Sequence, residues 1–418
     1  MNLLVIALLY SARQVGQTGR FTRIASGCKS IAARSLAKAI NYPHLETYFA
    51  PPYFKLPYAQ QNRPVGIQQW LLETKCGGSH CVGDDEILVI LDPDMLFLRP
   101  ISNDPELERH SALQRFRADS FVARPGHPVA QGYGIGPFDR FRDICEQYFG
   151  RNESEGCQRW VDDRSVRRGT AHGSRHWSIG APYLIAAVDM RRLAPLWMEL
   201  TPLVWQRSKG LEADMYAYSM AAAHLDLVHS RVEHHLISFI GSPRWTPPGG
   251  GRRNSAFEPP FEGWKHIDER FLDATAPEAN DHPCRRHTPL YATSPTARLP
   301  TLLHYCQTSL VFNDDPEDTF IVGFSKYRLP QDLLACDAAL IAEPWAPSPK
   351  HVDVFKYNTV DVRKRHDRVM TDSQELLRRE PFYMCEIILY FNAAIEDHKR
   401  AYCPNGFNSA RTRRLVGL

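Results

Sequence analysis

Asp92 and Asp94 stand two residues apart in DDEILVILDPDMLFLRP, directly after the apolar run ILVIL. Carboxylates are hard oxygen donors, and two of them on a short extended turn can aim at one divalent cation. Open α/β sheets bind ligands beyond the carboxyl ends of their strands. A cation held there would offset the charge of a diphosphate and help it to leave. The opposing reading is an acidic, solvated turn, since Asp-x-Asp arises by chance in many chains. The apolar strand before the pair, and the apolar run with Arg99 and Pro100 after it, favour the metal. Both carboxylates are then expected to face one pocket at the end of a strand over 87–91. Asp94 is expected to be partly exposed in a cleft.

Three further positions could complete such a site. His304 ends an apolar run in LLHYCQ. A histidine there is commonly a satisfied core or turn residue, but an imidazole also serves as a third ligand for manganese. Lys326 and Arg328 in GFSKYRLP could meet a phosphate, against the ordinary reading of solvated loop cations. Asp214 and Glu212 open an amphipathic helix in LEADMYAYSMAAAHLDL. There a carboxylate suits the helix dipole, or it could reach the acceptor hydroxyl or the donor sugar.

These groups need a layered α/β frame to bring them together. Apolar runs at 3–9, 87–91, 183–188 and 236–240 read as strands, and 30–40, 66–73, 138–149, 190–209 and 214–225 as helices. Pro195 and Pro202 predict a kink or a fresh start in the helix over 190–209. The run at 3–9 also admits a short signal core, but no basic stretch precedes it, and it is too short for a membrane span. Residues 241–300 are rich in Pro and Gly, without periodicity, and read as a surface insertion or lid. Residues 301–345 return to apolar structure. After PWAPSP, 346–418 read as a helical extension whose segment FYMCEIILYFNAAIEDHKRAYC carries a wide apolar face.

The totals set limits. The chain has 418 residues, ample for a large core, with 43% hydrophobic and 23% charged residues. Fifty basic side chains stand against 47 acidic ones, a net charge of +3, which argues against a nucleic-acid binder. The eight tryptophans and 17 tyrosines fit a core, and also the flat faces of a sugar site. Ten cysteines, none in a CxxC pair, admit either disulfides of an oxidising compartment or scattered thiols. Asn152-Glu153-Ser154 is a glycosylation sequon.

Taken together, LDPDMLFLRPI, GRFTRIASG, NRPVGIQQWL, IGAPYLIAAVDMRRLAPLW, ADMYAYSMAAAHLDLVHS, LLHYCQ and FSKYRLPQDLLACD resemble segments of plant and algal hydroxyproline O-arabinosyltransferases and the related peptidyl serine α-galactosyltransferases. The C-terminal apolar helix resembles that of the arabinosyltransferase-like members. The resemblance implies a GT-A fold, a Rossmann-like nucleotide-binding sheet merged with an acceptor-binding half. Residues 1–240 would be the catalytic core and 301–345 its completion.

It further implies a divalent metal, manganese first, a UDP-sugar donor, and a hydroxyproline- or serine-rich glycoprotein acceptor. Retention of anomeric configuration and a Golgi or ER lumen follow. By the same resemblance Asp92, Asp94 and His304 hold the metal, and Lys326 and Gly180 lie at the nucleotide. Tyr10 and Ser11 form the nucleotide-facing turn of a first strand. Asp214 is the catalytic carboxylate, where galactosyltransferase-like members carry glutamate. The N-terminal membrane anchor of that family is not visible. The alternatives are a transferase of the same architecture with a glycan or lipid acceptor, or a non-catalytic carbohydrate-binding scaffold.

Overall fold

The computed structural model describes residues 2–28, 30–38, 40, 42, 45–51, 59–74, 81–103, 122–133, 135, 138–150, 157, 160, 177–210, 212–232, 234–238, 267, 286, 288–290, 299–306, 309–311, 322–324, 326–342, 373–409 and 412–413. The fold is mixed α/β.

The first apolar run is a helix, α1 (Asn2–Gln14), not a strand. A short apolar run cannot separate buried helix from buried strand by periodicity. Here Leu3, Val5, Ile6, Ala7 and Leu9 are buried, while the less buried Leu4 and Leu8 lie four apart, on one helical face. Leu and Ala without Gly or Pro also favour helix. The turn expected around Tyr10 and Ser11 is therefore helical.

Strands β1 (Phe21–Ser26) and β2 (Leu45–Ala50) pair in parallel, with α2 (Ile31–Lys38) between them in sequence. Helix α3 (Asn62–Glu73) packs on both strands. Its Gly66 permits close approach, because a Cβ there would strike Ile24.

The largest sheet has β3 (Ile87–Ile90) at one edge, then β6 (Ile179–Ala186), β5 (Val129–Gly132) and β7 (Ser230–Val232). It is mixed: β3/β6 and β5/β6 are antiparallel, β5/β7 parallel. Every residue of β6 is buried. A second sheet orders β4 (Met95–Phe97), β9 (Leu302–His304) and β8 (Leu236–Ile237).

After α4 (Arg142–Phe149) come α5 (Ala187–Ser208) and α6 (Ala213–His224), which pack on each other. Helix α5 starts earlier than its sequence pattern suggested and continues through Pro195 and Pro202. Burial of Leu193, Trp197, Leu200 and Val204 offsets the lost hydrogen bonds.

Helix α7 (Ser373–Tyr402) buries Phe382, Ile387, Tyr390, Phe391 and Ile395 in a cluster that also takes in α1. It packs on β10 (Ser309–Val311), which pairs with β11 (Val322–Phe324), and on β12 (Leu340–Ile341), which pairs with β13 (Thr412–Arg413).

Disulfides join Cys145 to Cys157 and Cys336 to Cys403; Cys81 and Cys385 are also disulfide-bonded, whereas Cys28 and Cys306 are thiols. Among the described residues no helix is long and apolar enough to cross a membrane. Most of 241–300, and the sequon at Asn152, lie outside the described residues.

Candidate metal centre

The site begins where β3 stops. Leu91 and Asp92 leave the sheet, Pro93 and Asp94 make the turn, and β4 starts at Met95. Antiparallel pairing of β4 with β9 sets Met95 opposite His304. The same ladder continues one step: the Tyr305 amide donates to the Asp94 carbonyl at 3.0 Å. Backbone register alone thus carries His304 to Asp94 across a long stretch of sequence.

Asp92, Asp94 and His304 each offer a ligand atom, all within 4.8 Å of one another. His304 Nε2 lies 3.4 Å from Asp94 Oδ2 and 3.9 Å from Asp92 Oδ2. Ligand atoms about 2–2.3 Å from one ion stand at most roughly 4.6 Å apart, so the three fit a shared divalent cation after small adjustment. Two carboxylates and an imidazole suit manganese or a similar borderline-hard ion.

Asp94 is 4% exposed, not partly open as the sequence suggested. The β4–β9 pairing encloses its backbone, and Lys326 Nζ bonds its Oδ2. Burial works against the Asp94 charge, yet His304 and Lys326 hold its carboxyl far below the usual range. Burial likewise opposes charge on His304, but Cys306 and Asp94 push its pKa well up. For Lys326, burial lowers the pKa and Asp94 more than reverses it. The cluster is a buried, mutually compensated charge network, in which the removal of one member leaves the others exposed to the full cost of desolvation.

His304 is held from several sides. The Tyr133 hydroxyl lies 3.3 Å from Nδ1, and the Tyr383 hydroxyl donates to the His304 carbonyl at 2.6 Å. Tyr133 follows β5, and its amide donates to the Ser178 carbonyl at 2.8 Å. Its ring lies over Gly180, where a Cβ would collide with that ring and with Met215 Cε. The structure therefore gives Gly180 a local task, making room for the tyrosine that braces His304.

Arg63, in the first turn of α3, pairs through Nη2 with Asp92 Oδ1 and through Nη1 with Asp214 Oδ2 at 3.0 Å. Asp214 lies at the start of α6, 2% exposed. Its carbonyl accepts from Trp197 Nε1 at 2.7 Å. The two acidic loci thus adjoin through one guanidinium. Tyr10 and Ser11 stand elsewhere in the fold, on α1. Ser11 is fully buried; its hydroxyl donates to the Leu8 carbonyl at 2.7 Å and accepts the Phe97 amide at 2.9 Å. It thereby ties α1 to the end of β4.

Sequence reasoning did not single out Arg63 or Tyr133. Arg63 does stand in NRPVGIQQWL, one of the segments that carry the family resemblance, and that segment was the available signal for it. Tyr133 sits in no motif.

No family model matches the chain, and no solved structure shows significant likeness to it. Over 245 residues the chain is 25% identical to the peptidyl serine alpha-galactosyltransferase of Arabidopsis thaliana. That alignment takes in 54% of this chain and 24% of the relative, so the chain spans about a quarter of that protein's length.

Proposed function

We propose that this chain is a metal-dependent glycosyltransferase of GT-A type that moves a sugar from a UDP-sugar to a hydroxyl of a serine- or hydroxyproline-containing protein. The observation that carries this reading is the meeting of Asp92, Asp94 and His304 within 4.8 Å at the end of β3. The distant likeness to a peptidyl serine galactosyltransferase supplies the reaction class and a protein acceptor.

A divalent cation bound there would supply electrostatic stabilisation of the charge that develops on the leaving diphosphate. The chain's own residues do the rest. Asp92, Asp94 and His304 offer the ligand atoms, and Tyr133 keeps the imidazole turned so that Nε2 faces the carboxylates. Lys326, bonded to Asp94 Oδ2, is the positive group that can meet a donor phosphate. Asp214, which adjoins the cluster through Arg63, is the carboxylate assigned to orient the acceptor hydroxyl or the donor sugar. The acceptor hydroxyl attacks from the face that UDP leaves, with a donor phosphate oxygen taking its proton. Anomeric configuration is then retained, and the protein mainly positions the reactants and compensates charge. Several disulfides fit an oxidising compartment such as the Golgi or ER lumen.

The test is incubation of the full chain with Mn²⁺, UDP-galactose or UDP-arabinose, and peptides bearing serine or hydroxyproline. Sugar-bearing peptide and UDP release, both lost on chelation, are expected. Absence of transfer to every peptide, while the protein binds Mn²⁺ and donor, would overturn it.

A further inference from the structure

Arg63 reaches two carboxylates that belong to separate parts of the fold. Asp92 comes from the turn between β3 and β4, Asp214 from the first turn of α6. Their backbones are fixed independently. The turn holding Asp92 and Asp94 is tied to β9 through the Tyr305 amide, and Asp214 is tied to α5 through the Trp197 indole. The guanidinium fork joins them, with Nη2 on Asp92 Oδ1 and Nη1 3.0 Å from Asp214 Oδ2. Asp92 is partly buried and Asp214 almost fully so, with side-chain exposures of 15% and 3%.

The division of oxygens at Asp92 is the informative detail. Arg63 takes Oδ1, and Oδ2 is the atom that faces His304 Nε2 at 3.9 Å. A carboxylate with one oxygen clamped presents the other in a fixed direction. Two carboxylates close together in a partly buried site also repel each other unless a cation stands between them. A guanidinium can serve both at once because its donors form a rigid fork, whereas an ammonium is a single point charge.

We propose that Arg63 is a positioning residue that couples the metal centre to Asp214: it aims Asp92 Oδ2 at the cation and fixes Asp214 at the edge of the same site. The inference rests on the glycosyltransferase reading above. It accounts for two carboxylates from distant segments being held in one constellation, and it makes geometry at the cation depend on geometry at Asp214. A merely structural arginine would pin α3 to α6 and do nothing more.

The test uses the full chain with Arg63→Met, Arg63→Gln and Arg63→Lys, beside Asp214→Asn and the double variant. Mn²⁺ affinity is measured by calorimetry or electron paramagnetic resonance without donor, together with a thermal melt, kcat and KM. Arg63→Met is expected to weaken Mn²⁺ binding on the order of 10–100-fold, the usual effect of losing a partner that orients a ligand. Its kcat should fall while the KM for donor changes little. Arg63→Lys should recover part of the Mn²⁺ affinity and less of kcat, since one ammonium cannot serve both acids. The Arg63→Met loss in kcat should shrink when Asp214 is already Asn.

Arg63→Gln keeps donors without charge and carries the test if the methionine variant does not fold. Wild-type Mn²⁺ affinity and kcat in folded Arg63→Met or Arg63→Gln protein would overturn the proposal and leave the proposed function standing. Failure of the wild-type chain to bind Mn²⁺ would instead overturn the reading beneath it, and the proposal with it.

Discussion

His304 is held across its ring: Nδ1 lies 3.3 Å from the Tyr133 hydroxyl, and Nε2 lies 3.4 Å from Asp94 Oδ2. Metal-binding histidines usually have their second nitrogen engaged in this way, which sets ring orientation and basicity. Here the brace is a partly buried tyrosine whose ring fits only because residue 180 is glycine.

Gly180→Ala tests that brace. The added methyl group must displace Tyr133 or Met215, and overpacking of this kind costs about 1–3 kcal/mol. A lower melting temperature is expected, with Mn²⁺ affinity reduced on the order of tenfold. A variant with wild-type melt and wild-type affinity would show that Tyr133 has no part in the centre.

Asp94→Asn should cost both activity and stability. The carboxylate is buried against Lys326 and His304, so its loss strands two positive groups. Breaking a buried pair in this way costs about 3–5 kcal/mol. Turnover should fall on the order of 10²–10³ if the cation is lost with it. Adding Lys326→Met should return part of the stability and none of the activity. A denaturant titration beside a UDP-release assay checks both; undiminished UDP release would rule out Asp94 as a ligand.

Lys326→Met alone should separate metal from donor. The amine bonds the Asp94 oxygen that also faces His304, so it adds positive charge where a cation would sit. Its removal is expected to leave Mn²⁺ affinity equal or tighter, while the KM for donor rises and turnover drops. Loss of Mn²⁺ binding in this variant would mean that the lysine serves the architecture of the centre rather than the phosphate.

Glu386, fully buried on α7, gives a pH signature away from the site. Burial raises its pKa from 4.5 to about 7, although Arg286 and the Leu290 amide pull it down. The folded state therefore binds this proton more tightly than the unfolded chain does. The contribution is fully present below about pH 4.5 and is lost as pH rises through about 7, by at most about 1.4 kcal/mol per pH unit. Glu386→Gln should remove that slope from stability measured between about pH 5 and pH 8. An unchanged slope would assign the effect to other groups.

Local patterning made much of the frame legible. The strand ending just before Asp92, the helices after 186 and after 212, and the apolar C-terminal helix follow from periodicity, which reflects burial of one face. Patterning failed at 3–9, where both strand and helix would bury the run. The choice fell to packing against β4 and α7, which no local window contains.

The sequence by itself determined which chemistry was available: two acids at the end of a strand, a histidine closing a later strand, and basic groups to balance them. Only the tertiary structure decided which of these meet. The β4–β9 register brought His304 to Asp94 and buried both, so an aspartate that local pattern placed in an open cleft became part of a compensated charge network. It also recruited Arg63, present in the sequence only as part of NRPVGIQQWL, and Tyr133, which carries no motif. Their selection comes from the need of buried charge for a partner, a requirement that acts through space and leaves no fixed spacing along the chain.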